Sequence, residues 1–543
     1  MDDLLRDYTP FSYYQKRVTL AVCVASALAA PQAAILVFIG SVPEWHCAGS
    51  AASSSNAAAA AAVATAAAQG LGNHTADWQH NDIPGVIDSS PTQCQRLASG
   101  SCSPVYKHRL ASASSEFGLI CSHATDSSYA QSLYFVGMLL GSWLAGWSSD
   151  AYGRRAAILV AMVFFSLGSL WTMLSGSFGS FAISRLVTGI GVMCLGVTSN
   201  VLVSESVAPA HRALTTTSCN LFFSIGLAGL SLLASYNSAS WRRLMGVLTV
   251  LAFSASLVVY IWVSESPFWL LANKRHDQLS VMLQRWAARS GKTIPDRLLE
   301  NLSSSKEKLV ESDDESHQSP SHRSTVHLSS LLVLPVFRWH TLSVLWAWFT
   351  VCMMYYGLTL HVEGVGSNKY ISFFFMAIVE LPALLIAIVV LKYIGRRTFI
   401  FWTMVMTTVF CTLSSFIAKW STQVNDNDST HMKETIANWQ LAVSICGKFS
   451  SSAVFSILYT YLPELLPTPV RTSGLGVCVV VSRLGAIISP FVLAWGHSHP
   501  MAPYLLFSVC GAIACAGIYR LPETKDRDLP ETLQDLHQLV TKG

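Results

Sequence analysis

Four charged side chains lie inside long apolar stretches of the sequence, at Arg185, Glu380, Lys448 and Arg483. A charge within a membrane-spanning helix is costly, so such residues usually face a cavity or pair with one another. A guanidinium presents a planar fork that fits a carboxylate, whereas a carboxylate can neutralise an ammonium group. These residue types therefore predict a site that binds a small charged molecule without covalent chemistry.

Arg483 lies near the middle of its apolar stretch, and two interpretations of it stay open. Its guanidinium could bind the carboxylate of a substrate, or it could form a structural ion pair with Glu380. Glu380 stands two residues before Pro382, which should kink the helix and free backbone groups to line a cavity. Glu380 in turn could bind a substrate ammonium group, or it could balance Lys448 or Arg483.

Two further residues are candidate substrate contacts. Tyr356 belongs to a group of aromatic residues whose rings could hold a cation through cation–π attraction. Gln32 follows Pro31 in the first apolar stretch and offers an uncharged polar group. Arg185 is interpreted differently, because a hydrogen-bonding role between helices is favoured over substrate contact.

The sequence gives no sign of the sites that several other classes of protein require. It contains no Gly-x-x-x-x-Gly-Lys-Ser/Thr loop for ATP and no His-Glu-x-x-His pair for zinc, and its membrane cysteines lack metal-ligand spacing. We therefore expect no metal, no cofactor and no enzymatic activity. The formal charge of +4 is too small to indicate a nucleic-acid partner.

The elements that position these residues follow from composition. Hydrophobic residues make up 52% of the 543 residues and charged residues only 12%, and apolar runs recur at the length of about 20 residues that crosses a bilayer as a helix. The sequence therefore predicts an all-α membrane protein of twelve spanning helices, with the lipid bilayer as its surroundings. The predicted spans are 18–40, 129–149, 156–175, 178–204, 213–235, 241–263, 340–362, 369–392, 398–419, 437–462, 471–495 and 501–521.

Lys and Arg residues near the ends of these spans set the predicted orientation. They concentrate in the segments that are cytoplasmic if both termini lie inside, although the pair Arg242 and Arg243 goes against this rule. The apolar run that begins at Val18 is too long for a signal peptide, so it is predicted as the first span. The predicted segments are a cytoplasmic N-terminus 1–17, an N-terminal six-helix half 18–263 with an extracellular loop 41–128, a cytoplasmic loop 264–339, a C-terminal six-helix half 340–521 and a cytoplasmic C-terminus 522–543.

The extracellular loop carries chemical signals of its own. Its four cysteines predict two disulfides, because an even set of cysteines in an extracellular segment is normally paired, and three connectivities stay open. Two Asn-x-Ser/Thr sequences face outward in this topology and are predicted glycosylation acceptors. The cysteines are Cys47, Cys94, Cys102 and Cys121, and the acceptors are Asn73 and Asn427.

Three short motifs occur in each half in the same order, which indicates a duplicated six-helix unit. The first is Gly-x-x-x-Asp-x-x-Gly-Arg-Arg at 146–155, repeated in part as Gly-Arg-Arg at 395–397. Its second glycine allows a tight turn, and its Asp can meet the positive end of a helix. The arginines of the first copy could pair with Glu205 or Glu464 and so close the cytoplasmic face as gate contacts. The predicted gate residues are Asp150, Gly153, Arg154, Arg155, Glu205, Arg396, Arg397, Glu464 and Arg471.

Through residues 146–155 the chain resembles the major facilitator superfamily, and more closely it resembles the organic-ion transporters of solute carrier family 22. The resemblance extends over nearly the whole chain. Residues 448–490 are most similar to the carnitine-type branch of that family, which handles zwitterions. The segments that carry the closer resemblance are 42–47, 265–271, 464–471, 482–490 and 521–524.

The resemblance implies a major facilitator fold and a secondary transporter that moves a small organic cation or zwitterion, of carnitine type, across the plasma membrane by alternating access. It also implies that a basic residue at Arg483 is typical of anion and zwitterion carriers. An organic anion exchanger that uses the same Arg483 is the alternative within this class. A transport-inactive receptor or scaffold is the alternative from another class, because Ala151 and Lys392 depart from the loop motif. Sodium and the proton stay open as coupling ions.

Overall fold

The computed structural model describes the membrane helices and part of the segments that connect them. Asn73 and Asn427, the predicted glycosylation acceptors, lie outside the described residues. The described residues are 5–6, 11, 13–42, 45–49, 91–106, 112–289, 292, 294–295, 335–362, 366, 368–423, 430–466, 471–496 and 498–525.

Helices make up almost all of the described structure. A single pair of short strands, within the described part, belongs to the segment between the first two predicted spans. In chain order the elements are α1 Tyr13–Ala29, α2 Pro31–Ala34, α3 Leu36–Ile39, β1 Trp45–Gly49, α4 Pro91–Ala98, β2 Cys102–Tyr106, α5 Ala113–Phe117, α6 Asp126–Tyr152, α7 Arg154–Leu174, α8 Phe178–Ser206, α9 Pro209–Tyr236, α10 Trp241–Trp262, α11 Pro267–Ala272, α12 His276–Arg289, α13 Pro335–Leu360, α14 Lys369–Ile378, α15 Glu380–Val390, α16 Arg396–Gln423, α17 Thr430–Leu465, α18 Arg471–Gly496 and α19 Ala502–Tyr519.

Eleven spans within the described residues are long and apolar enough to cross a membrane. The second predicted span, α6, is not among them, although its 27 residues exceed the length that is needed. Its polar side chains turn toward other helices: Gln131 Nε2 donates to the carbonyl of Ala33 at 2.9 Å, and Ser132 Oγ donates to the carbonyl of Ile487 at 2.8 Å. α6 thus carries polar side chains where it packs against other helices, and its contact with Ile487 joins the two halves of the molecule.

Two predicted spans are interrupted at prolines. The first span breaks after Ala29, and Pro31 opens the next piece. The eighth span ends as α14 at Ile378 and resumes as α15 at Glu380, because Pro382 has no N–H to donate to the carbonyl four residues earlier. The predicted kink at Pro382 is confirmed, and it places the Glu380 carboxylate at the start of a helix.

The two halves repeat one pattern of helix packing. In the N-terminal half α1 packs against α9 and α10, and α8 packs against α6 and α7. In the C-terminal half α13 packs against α18 and α19, and α17 packs against α15 and α16. Contacts of α6 with α18 and of α9 with α14 join the halves. This repetition agrees with the duplicated unit that the motifs indicate.

Glycines bring helices close together in each half. A Cβ atom at Gly189 of α8 would lie 2.2 Å from the carbonyl oxygen of Tyr134 in α6. A Cβ atom at Gly485 of α18 would lie 2.3 Å from the carbonyl oxygen of Phe349 in α13. Both distances are shorter than van der Waals contact, so a larger residue would separate helices that carry the candidate site residues.

The segment 41–128, which is predicted to be extracellular and is called the outer segment below, contains a strand pair and disulfides. β1 and β2 run antiparallel, with Gly49 opposite Cys102. A disulfide joins Cys94 in α4 to Cys121, just before α6, and Cys102 is also disulfide-bonded. The side chain of Cys47 lies outside the described part of the chain. The Cys94–Cys121 bond fixes α4 to the start of a membrane helix.

α5 fixes this outer segment to the N-terminal half. Glu116 accepts a hydrogen bond from Trp241 Nε1 at 2.7 Å and pairs with Arg242 Nη2 at 2.6 Å. Ser114 Oγ donates to the carbonyl of Gly40 at 2.6 Å. In the predicted topology Arg242 goes against the positive-inside rule, and the structure pairs it with the Glu116 carboxylate, which neutralises its charge.

Candidate functional site

Lys448 and Glu380 form a buried ion pair in the C-terminal half. Lys448 Nζ lies 2.8 Å from Glu380 Oε1, and the two side chains are 0% and 4% exposed. The ammonium also donates to Thr359 Oγ1 at 2.5 Å and lies 3.1 Å from the ring centroid of Tyr355. Ser224, from the N-terminal half, donates to the other carboxylate oxygen at 2.7 Å. Glu380 therefore balances Lys448, which is one of the alternatives left open by the sequence.

Arg483 is buried without such a partner. It is 4% exposed, and its Nη1 donates to the Tyr356 hydroxyl at 3.2 Å. The hydroxyl of Tyr459 also faces it. Among the described residues no carboxylate pairs with Arg483, and its Nε has no hydrogen-bond partner. The pairing of Arg483 with Glu380 that the sequence left open is not formed in this structure.

The ring of Tyr459 packs against two aromatic residues. Its centroid lies 4.7 Å from the ring of Trp348 and 5.5 Å from that of Phe455, both inside the helix bundle. Tyr459 is 38% exposed at the protein surface and lies in the last two turns of α17.

Aromatic rings from both halves surround the same region. Phe135 of α6 lies 4.6 Å from Tyr356 of α13, measured between ring centroids. Tyr355 lies 5.1 Å from Tyr356 and stacks on Phe455 at 5.4 Å. The faces of such rings attract an ammonium group. The structure thus places Tyr356 next to Arg483. A tyrosine ring attracts a cation, whereas a guanidinium attracts an anion.

Gln32 is not available as a substrate contact in this conformation. Arg185, which is fully buried, donates from Nη1 to Gln32 Oε1 at 2.7 Å and from Nη2 to the Gln32 carbonyl at 2.5 Å. Gln32 Nε2 donates to Ser169 Oγ at 3.2 Å. The Arg185 guanidinium also lies 4.6 Å from the ring centroid of Tyr134. Arg185 therefore has the internal hydrogen-bonding role that the sequence favoured, and Gln32 is its partner.

A cluster of charged residues closes the loop between α6 and α7. Arg154 makes a two-point contact with Glu205, at 3.0 Å from Nε and 3.2 Å from Nη2, and also pairs with Asp150 at 3.1 Å. Glu265 accepts from the backbone N–H of Arg154 at 2.8 Å, and Ser266 Oγ donates to Glu205 at 2.5 Å. The carboxylates at the ends of α8 and α10 thus hold the start of α7.

Gly153 makes this arrangement possible. Its φ is +100°, a conformation that disfavours other residues, and a Cβ atom there would lie 2.4 Å from Glu265 Oε2. Arg155 donates its backbone N–H to the same carboxylate at 3.2 Å, and its Nη2 to the carbonyl of Tyr260 at 3.2 Å. The tight turn predicted at Gly153 is therefore also the place where a carboxylate approaches the backbone.

The C-terminal half repeats the cluster in a weaker form. Arg396 Nε lies 3.3 Å from Glu464 Oε2, and Thr524 Oγ1 donates to the same oxygen at 2.6 Å. Glu523 accepts from the backbone N–H of Arg397 at 3.3 Å. Burial by itself would raise the pKa of Glu523, but backbone N–H groups, those of Thr398 and Arg397 among them, outweigh it and lower the pKa below its usual value.

These clusters differ from the predicted gate in one respect. Arg154 pairs with Glu205 of its own half and not with Glu464 of the other half. The reason is geometric, because the loop between α6 and α7 is one residue long and places Arg154 beside the end of α8. The side chain of Arg471 lies outside the described residues. Among the described residues, the ion pairs of these clusters link helices of the same half.

Contacts between the halves concentrate at the outer end. Phe38 stacks on Tyr370 at 5.5 Å and meets Phe373 edge-on at 5.1 Å. Lys369 Nζ donates to Ser41 Oγ at 2.9 Å. The described contacts between the halves thus include this end of the molecule, whereas the ion pairs of the charged clusters at the opposite end join residues of a single half.

Comparison with known proteins places this geometry in a family. The sequence pattern of the sugar (and other) transporter family matches residues 19–536. The organic cation/carnitine transporter 4 of Arabidopsis thaliana is 27% identical over 100% of this chain and 92% of its own length. A solute carrier family 22 member 15-like protein of Xenopus laevis is 30% identical over 79% of this chain and 83% of its own length.

The fold agrees with solved transporter structures. A partially occluded inward-open structure of the xylose transporter XylE of E. coli matches with a TM-score of 0.60 at 15% identity, over 95% of this chain and 100% of that one. At this identity the match concerns the fold alone. Fold, motifs and relatives agree: the chain belongs to the sugar (and other) transporter family and, within the major facilitator superfamily, to solute carrier family 22.

Proposed function

We propose that the protein carries a small organic zwitterion of carnitine type across the plasma membrane by alternating access. The observation that carries this proposal is the buried Arg483, for which the described residues offer no carboxylate. A buried, unpaired charge is expensive, so a partner from outside the chain is expected. A substrate carboxylate fits the guanidinium fork in charge and shape.

The ammonium end of the substrate is assigned to the aromatic rings. Glu380 is already paired with Lys448 at 2.8 Å, so a second cation there would compete with a lysine of the same helix bundle. Tyr356 presents a ring face beside Arg483, from which its hydroxyl oxygen accepts a hydrogen bond, and Phe135 approaches it from the other half. A zwitterion of a few ångströms in length would span from the guanidinium to these rings.

An organic anion is the second candidate substrate, and one specific observation favours it. Glu380 and Lys448 cancel one another, which leaves Arg185 and Arg483 as buried cations without a carboxylate among the described residues. Such a positive interior would accept a substrate with more than one negative group. The similarity to organic cation/carnitine transporter 4 of Arabidopsis thaliana favours the zwitterion.

The test is uptake of labelled carnitine, choline and succinate into cells that express the chain, with and without sodium and at two external pH values. We expect saturable carnitine uptake that falls at least tenfold in Arg483→Gln and is partly retained in Arg483→Lys, with equal surface biotinylation of all three proteins. Loss of uptake without sodium would identify sodium as the coupling ion, and stimulation by external acid would identify the proton.

Three results would overturn the proposal. Succinate uptake without carnitine uptake would assign the anion function, and choline uptake alone would show that Arg483 binds no substrate carboxylate. A chain that reaches the surface and transports none of the panel would favour the receptor or scaffold alternative. Failure of surface biotinylation in the wild-type protein would contradict the plasma membrane as its location.

A further inference from the structure

Tyr134 of α6 is a buried polar side chain with an unused hydrogen-bonding group. It is 0% exposed, and its hydroxyl has no hydrogen-bond partner among the described residues. Buried hydroxyls of tyrosine normally have a partner, because a phenol removed from water without one loses free energy. None of the described contacts of Tyr134 therefore satisfies its hydroxyl.

The surroundings of Tyr134 point to an anionic partner. The Arg185 guanidinium lies 4.6 Å from its ring centroid, and Tyr134 belongs to the same buried cluster as Tyr356. Its neighbour Phe135 contacts Tyr356 directly at 4.6 Å. Tyr134 thus packs beside the candidate site from the N-terminal half, whereas Arg483 belongs to the C-terminal half.

The position of Tyr134 is fixed by the backbone. Gly189 of α8 leaves no room for a side chain, because a Cβ atom there would lie 2.2 Å from the Tyr134 carbonyl oxygen. Arg185 covers one side of the ring, while Phe135 meets it edge-on at 5.7 Å. Ring and backbone are therefore held in place without the hydroxyl, which stays free to serve a ligand.

We propose that the Tyr134 hydroxyl donates a hydrogen bond to the substrate carboxylate that Arg483 binds. This inference rests on the proposed function and adds a specificity-determining residue from the opposite half. A carboxylate has two oxygens, so one can accept from the guanidinium and the other from the phenol. The substrate class that satisfies both donors is a carboxylate, and a quaternary ammonium without one leaves both unpaired.

The test is Tyr134→Phe, which removes the hydroxyl and keeps the ring. For a carboxylated substrate we expect a rise in KM of about tenfold, the effect of one hydrogen bond to a charged group, with little change in maximal rate. Inhibition of the same uptake by choline should not change. Because the hydroxyl is unpaired in the absence of ligand, the thermal stability of the purified, ligand-free protein should be unchanged or higher.

Tyr461→Phe is the matched control. The Tyr461 hydroxyl donates to the carbonyl of Pro522 at 2.7 Å, away from the site. Its removal should lower the stability of the ligand-free protein and leave the KM values of the panel unchanged. A ligand role and a structural role for a tyrosine hydroxyl are thus separated by two measurements with opposite expected results.

The outcomes distinguish this inference from the proposed function. Carnitine uptake with an unchanged KM in Tyr134→Phe supports the function and overturns the inference, and assigns the hydroxyl to a buried water. Succinate uptake whose KM depends on Tyr134 overturns the function and supports the inference. If neither carnitine nor succinate is transported or raises the thermal stability of the wild-type protein, no carboxylate site exists and the inference is wrong.

Discussion

Lys448 Nζ and Glu380 Oε1 lie 2.8 Å apart in the C-terminal half, and the two side chains are 0% and 4% exposed. A buried pair of this kind contributes little net stability, whereas removing one member leaves a charge without compensation. The pair consequently restricts what each residue can do for a substrate.

We predict that Glu380→Gln destabilises the protein by about 3 kcal/mol, because Lys448 is left as an uncompensated buried cation. The double variant Glu380→Gln with Lys448→Met should regain most of this loss. Thermal unfolding of purified protein measures both effects. If Glu380→Gln unfolds at the wild-type temperature but no longer takes up cations, Glu380 is a substrate ligand and the structural pair is secondary.

The two cytoplasmic clusters should differ in strength. Arg154 contacts Glu205 through two hydrogen bonds, whereas Arg396 meets Glu464 through one contact of 3.3 Å. A double-mutant cycle of Arg154→Ala and Glu205→Ala should give a coupling free energy of about 1–2 kcal/mol, reduced by the partial exposure of both side chains. The equivalent cycle on Arg396 and Glu464 should give less than about half of this value. Equal coupling free energies in the two cycles would show that the second hydrogen bond between Arg154 and Glu205 adds no stability.

Phe38 should control the outer closure. It lies between Tyr370 and Phe373 of the other half, so Phe38→Ala removes cross-half packing and should shift the population toward an outward-open state. We expect faster labelling of a Ser41→Cys reporter by a membrane-impermeant thiol reagent added outside.

Phe117→Ala is the control for that experiment. Phe117 packs against Phe181 and Trp241 within the N-terminal half, so it should lower stability without changing the labelling of the reporter. Equal acceleration by both variants would mean that general loosening, and not outer opening, exposes the reporter.

Glu523 predicts a defined dependence on pH. Its pKa lies below the ordinary value of 4.5, so its ionised form is stabilised by folding. That stability is fully present above the ordinary value and is lost as the pH falls through the lower, folded-state pKa. The difference in unfolding temperature between wild-type protein and Glu523→Gln should be constant near neutral pH and shrink in acid. If the difference in unfolding temperature grows in acid, folding raises the pKa of Glu523, and the prediction is wrong.

The sequence was sufficient for the helices, the kink and the family, because each of these depends on local pattern. The run lengths predict the spans, and Pro382 predicts the break before α15. The separate motifs at 146–155 and 395–397 indicate the repeat that the packing shows. These signals lie within single segments of the chain and need no knowledge of their neighbours.

The partners of the charges could not be predicted in the same way. Four intramembrane charges allow several pairings, and only the arrangement of helices shows that Glu380 meets Lys448 and leaves Arg483 without a carboxylate among the described residues. Tyr134 and Tyr459 gave no signal, because tyrosines within apolar helices usually pack or face lipid. The sequence predicted that the gate arginines pair with carboxylates. The one-residue loop before Arg154 places its side chain beside Glu205, so that this pair forms within one half.

The contact of Glu116 with Trp241 and Arg242 also bears on how the outer segment moves. Since α5 is bound to the start of α10, the outer segment should move together with the N-terminal half when the two halves change their relative orientation. An antibody fragment that recognises the Cys94–Cys121 region would then follow that half through the cycle, and the angle between it and a probe on the C-terminal half would report each turnover.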